Sequence, residues 1–142
     1  VGYTIGRRNK SSFLTVVSNS FKLSVFSGLI ISIIYLLIFQ SIINELTDLD
    51  YIKFLAFNYI FWIVIIPPIA SICYQFDGIF IGASQTGEMR NGMIISVIIF
   101  ITSSHYLVSN FGNHGLWLAL LFFMIIRSVT LNYYFNRILE KF

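Results

Sequence analysis

Asp77 is the residue of this sequence best suited to chemistry. It sits in Tyr74-Gln75-Phe76-Asp77-Gly78-Ile79-Phe80-Ile81-Gly82-Ala83, with apolar residues on both sides. The flanking charges are Lys53 and Arg90, whose midpoint falls near Ser71 or Ile72. Counted along a helix, Asp77 lies about 8 Å from that midpoint. A carboxylate at membrane depth costs about 2.5–3.5 kcal/mol on insertion scales, and such residues usually face a bundle interior or a wet cavity on an ion or proton path. The alternative is that Asp77 marks the end of a shorter helix and faces water. Arg127 is the second charge in an apolar run. Either its long side chain snorkels to the headgroups, or it has a specific partner on another helix.

Other residue types nearby bear on the same site. Pro67-Pro68 precedes Asp77 by about ten residues and should kink or locally unwind its helix, because proline removes a backbone donor and clashes with the preceding turn. Interrupted helices at membrane depth line cavities in transporters. Pro67, Pro68, Tyr74 and Gln75 are therefore candidates for a cavity wall or a hinge. Gly78 and Gly82 form a GxxxG extended by Ala83, which lets another helix approach closely. His105 and His114 have no companions at metal-ligand spacing, and the single Cys73 excludes an internal disulfide or a cysteine-based zinc site. No phosphate loop, dinucleotide turn, nucleophile elbow or HExxH occurs in the sequence. We therefore expect no catalytic residue, no metal and no cofactor, and transport or assembly instead of an enzyme activity.

The elements that must position these residues follow from composition. Of 142 residues, 57% are hydrophobic and 11% charged, against about 45–50% and about 25% in soluble domains. A soluble fold of this size could not bury that much apolar surface, so the main partner is a lipid bilayer. A net charge of +3 with scattered basic residues gives no reason to expect nucleic acid. A spanning helix needs about 20 apolar residues. Uncharged stretches give spans at about 23–43 and 54–76. The run 91–126 is too long for one pass and is broken by Ser109-Asn110-Phe111-Gly112-Asn113-His114-Gly115, giving spans at about 92–108 and 116–135. The expected fold is an all-α, polytopic integral membrane bundle of four helices. Arg7, Arg8, Lys10, Lys22, Arg90, Arg137 and Lys141 all fall on one side of it, which places both ends in the cytoplasm. Residues 9–21 repeat apolar residues at helical spacing, either extending the first helix or forming a separate interfacial one. The chain opens on Val1 without a signal peptide, and we expect it to be a piece of something longer.

Several stretches resemble one family. Residues 67–91, above all Asp77-Gly78-Ile79-Phe80-Ile81-Gly82-Ala83 and Met89-Arg90-Asn91-Gly92-Met93, look like the tenth-helix signature of multidrug and toxic compound extrusion (MATE) transporters, most closely the branch named for a DNA-damage-inducible protein. Phe111-Gly112-Asn113-His114-Gly115-Leu116-Trp117 and Arg127-Ser128-Val129-Thr130-Leu131 are similar to its twelfth helix. Gly2-Tyr3-Thr4-Ile5-Gly6-Arg7-Arg8-Asn9 resembles the loop after the eighth helix, and Thr47-Asp48 the loop after the ninth. The resemblance implies helices nine to twelve of a twelve-helix antiporter in a bacterial inner membrane. Such proteins export drugs and other organic compounds in exchange for sodium ions or protons. The implied partners are helices one to eight and a small organic substrate. In another branch an acidic residue at the Asp77 position helps bind the coupling cation. In the branch resembled here, coupling is assigned to an aspartate on the first helix. Two other readings stand beside this one: a lipid-linked saccharide flippase of the same superfamily, and a non-transporting four-helix assembly protein.

Overall fold

The computed structural model of the chain describes residues 1–140 and 142. Lys141, counted above among the basic residues, lies outside the described residues. Six helices follow one another: α1 (Gly2–Gly6), α2 (Lys10–Leu46), α3 (Asp50–Phe57), α4 (Ile60–Gly82), α5 (Thr86–Phe111) and α6 (Asn113–Leu139). Four of them, α2, α4, α5 and α6, are long and apolar enough to cross a membrane. Strands are absent among the described residues. The fold class and the number of spans are those read from the sequence.

Helix α2 opens at Asn9, whose side chain accepts a hydrogen bond from the Ser12 amide at 2.9 Å, satisfying one of the donors that every helix start leaves free. Residues 10–21 belong to this same helix, with Asn9 as its cap, and do not form a separate one. Its 37 residues extend over about 55 Å, well beyond the roughly 30 Å of a hydrocarbon core.

The second span differs from its expected limits. Residues 54–57 belong to the short helix α3, the chain breaks at Asn58-Tyr59, and α4 runs on to Gly82. Asp77 is thus inside α4, not beyond its end. Pro67 and Pro68 leave the helix unbroken, so the local unwinding expected there does not occur. The connection between α5 and α6 is also shorter than expected. Asn110 and Phe111 close α5, Asn113 opens α6, and Gly112 alone makes the turn. Its φ of 57° with ψ of −136° is a conformation that only glycine adopts without strain.

Helix α4 packs between α2 and α6, and α5 packs against α6. The starts of α2 and α5 and the ends of α4 and α6 therefore meet at one end of the bundle, which also carries most of the basic residues. A buried cluster at that end joins Phe13 and Val17 of α2, Phe76, Ile79 and Phe80 of α4, and Leu131 and Ile138 of α6. Phe13 stacks on Phe135 and meets Phe142, which ties the projecting start of α2 to the end of the chain. Elsewhere the outer faces are exposed Leu, Ile, Val and Phe, the surface a helix presents to lipid.

Candidate functional site

The two intramembrane charges meet. Arg127 stands one residue past the middle of α6, and both its Nε and its Nη2 donate to the same oxygen, Oδ1 of Asp77, at 3.1 and 2.9 Å. The side chains are 6% and 16% exposed. Nη1 donates to the Met93 sulfur on α5. Three helices thus converge on one guanidinium. The arrangement follows from lipid's inability to solvate charge. A buried ion can persist only when paired and hydrogen-bonded. Of the two routes open to Arg127, the structure gives it the interhelical partner.

Beside the pair lies an open cavity of about 900 Å³ between α2, α4 and α6, within the usual range of small-molecule sites, about 300–1,000 Å³. Pro67, Tyr74 and Gln75 line it, with Tyr35 of α2 and Trp117 and Met124 of α6. Asp77 follows Tyr74 by less than one helical turn. Pro68 faces α2 instead: it touches Gly28, where an added Cβ would come within 2.9 Å of its Cα. The wall is mostly apolar, with Ser20, Ser24, Ser27, Ser71 and Gln75 as its polar points. Gln75 Nε2 donates to Ser20 Oγ at 2.7 Å, and Ser24 Oγ donates to the Ser71 carbonyl at 2.9 Å. Such a surface suits an amphipathic organic molecule better than a highly charged one.

The glycine motif splits. An added Cβ at Gly78 would meet nothing within 4 Å, while at Gly82 it would touch Val1. Ala83 is buried in the basic-end cluster. At the opposite end, Trp62 Nε1 donates to His114 Nδ1 at 3.0 Å and Tyr59 stacks on the same imidazole, pinning the start of α4 to the start of α6. Glu88 is in the first turn of α5 and accepts from Arg137 of α6 at 3.1 Å. The Arg137 side chain is 57% exposed. Arg137→Ala should therefore lower stability by no more than about 1 kcal/mol. Raising the salt concentration should erase that difference in a thermal-unfolding comparison.

Sequence reasoning overlooked the α2 face of the site. Ser20, Ser24, Gly28 and Ser32 recur every fourth residue and all face α4. That spacing, a row of small residues along one helix face, was the available signal. Met93 carried none, because a lone methionine in an apolar run looks like any other filler. Among the described residues no group of His, Cys, Asp or Glu could hold a metal ion.

No family model matches the chain, and no solved structure does. Among curated proteins, the chain is 39% identical over 130 residues to DNA damage-inducible protein F of Escherichia coli (strain K12). The match covers 92% of this chain and 28% of the relative, so the chain spans less than a third of that protein's length. That relative is a MATE family member, and the matched region takes in the helices that hold Asp77, Arg127 and the cavity wall. Over nearly all its length this multi-pass membrane chain is thus similar to part of DNA damage-inducible protein F, a MATE family member.

Proposed function

We propose that the chain forms helices nine to twelve of a cation-coupled antiporter that exports amphipathic organic compounds, drugs among them, from a bacterial cell. On this reading the bundle sits in the inner membrane with its basic end in the cytoplasm. Helices one to eight complete the cavity, and one lobe moves against the other to expose it to either side. The observation that carries the reading is the Asp77–Arg127 pair, less than one turn of α4 beyond a cavity of about 900 Å³. A carboxylate held there by an internal cation is one that a proton or sodium ion could compete for. Similarity to a MATE family member supports the transporter class. The flippase reading is disfavoured because an anionic substrate needs a free cation in the cavity, and Arg127 is already neutralised by Asp77.

The test is Asp77→Asn in the full transporter, with efflux followed over a series of pH and sodium concentrations. The amide keeps the size of the side chain and an oxygen for Arg127 to donate to, but removes the charge. Cation-driven efflux should fall at least tenfold while membrane insertion is retained. Unchanged efflux across the whole series would remove Asp77 from coupling.

A further inference from the structure

We propose that Ser32 is the latch of a hinge at Pro67-Pro68, switching one hydroxyl proton between two helices. In an α-helix the amide of residue 68 would donate to the carbonyl of Val64, and Pro68 has no amide proton. In lipid no water replaces it, and an unsatisfied backbone group is costly. The Ser32 hydroxyl fills the gap: its Oγ lies 2.6 Å from the Val64 carbonyl oxygen. It can reach because Gly28, one turn earlier on α2, has no side chain, so the backbones come together at the prolines. An added Cβ on Gly28 would lie 2.9 Å from Pro68 Cα and 3.0 Å from the Pro67 carbonyl.

The same Oγ is also 3.1 Å from the Gly28 carbonyl of its own helix. A serine hydroxyl has one proton to donate. It can therefore serve Val64 across the interface or fold back onto α2, and it is never left without an acceptor. When the proton is on Val64, α4 is held straight against α2 and its helix runs unbroken through both prolines. When it returns to Gly28, the Val64 carbonyl is released, and α4 is left at the prolines without the two backbone bonds that amides at 67 and 68 would have made, so it bends there more easily than elsewhere. The two halves have separate anchors: Trp62 to His114 on one side of the prolines, and Asp77 to Arg127 on the other. Ile63 and Ile66 before the hinge and Ala70 and Tyr74 after it line the cavity, so a bend there changes the cavity's shape. Ser32 is a positioning residue in this scheme. The proposal assumes nothing about the coupling role of Asp77 or the identity of the substrate.

The experiment measures the bend directly. Phe61 and Ile81, near the two ends of α4, are each 60% exposed and about 30 Å apart along a straight helix. Phe61→Cys and Ile81→Cys, in a Cys73→Ala background, take spin labels for distance measurement by pulsed electron resonance on the intact protein in lipid nanodiscs. Ser32→Ala should increase the population of shorter, bent distances by about three- to tenfold. Pro68→Ala restores an amide donor for Val64, and in that background Ser32→Ala should leave the distances unchanged. Ser24→Ala should also leave them unchanged, because the Ser71 carbonyl it bonds is followed by no proline and keeps its helical donor. No effect of Ser32→Ala would overturn the proposal. An equal effect with and without Pro68, or an equal effect from Ser24→Ala, would reduce Ser32 to ordinary packing and overturn it as well.

Discussion

Arg127→Met should destabilise the bundle by about 3–5 kcal/mol, because it leaves the Asp77 carboxylate buried with no cation. Methionine keeps most of the stem's volume, so the loss is chiefly electrostatic. Two observations set the size of the effect. Both side chains are largely shielded, at 6% and 16% exposure, and both guanidinium donors aimed at Asp77 converge on one oxygen. Adding Asp77→Asn to Arg127→Met should recover a large share of the loss, since a buried amide needs far less compensation than a buried carboxylate. Unfolding in lipid or mild detergent, titrated with a denaturing detergent, gives all the corners of this cycle. Additive losses would mean that the two residues do not stabilise each other. An equal loss for Asp77→Asn alone and Arg127→Met alone would be a milder surprise, because asparagine still offers Arg127 an acceptor.

Gly115→Ala should cost about 3 kcal/mol, at the upper end of what small-to-large changes in a packed interior usually cost. Alanine is intrinsically the better helix former by about 1 kcal/mol, so the sign depends on packing alone. An added Cβ at Gly115 would fall onto the carbonyl group of Leu107, which is backbone and cannot turn aside as a side chain can. The α5–α6 hairpin would have to open, and the turn at Gly112 gives it no slack. Gly78→Ala is the matched control. Nothing lies within 4 Å of the added carbon there, and the change should be neutral or slightly stabilising. If the two variants unfolded at the same point, the close contact between α5 and α6 would not exist.

Contacts between distant residues decide which features of this chain its sequence shows. Four spans were legible because each is a long apolar run, with Arg127 in the last as the one charge inside the expected limits, and hydropathy is a property local to its segment. The start of α4 was misjudged because nothing in the hydropathy distinguishes residues 54–57 from those that follow, although they form a separate helix. The continuation of α4 past Phe76 was hidden for a different reason. A helix that buries Asp77 looks unfavourable until Arg127, 50 residues away, is set beside it. The prolines looked like a break because the donor that replaces the lost amide belongs to Ser32 on another helix. At the site, Asp77, Pro67, Tyr74 and Gln75 were visible through residue type, while the serine row of α2 mattered only once its partner was known. The turn at 109–115 was placed correctly but drawn too long. Asn110 does not leave the helix: its side chain donates to the Tyr106 carbonyl and so stays in the last turn of α5.

The ion pair also sets a schedule for synthesis. Asp77 leaves the ribosome first, and Arg127 follows 50 residues later. At translation rates of about 5–20 residues per second, the acid waits some seconds for its base. During that interval α4 carries a carboxylate that lipid accommodates poorly, without the arginine it pairs with in the folded bundle. Helix α4 should therefore linger in the insertion machinery until α6 arrives. The last three spans would then pass into the bilayer together as one unit.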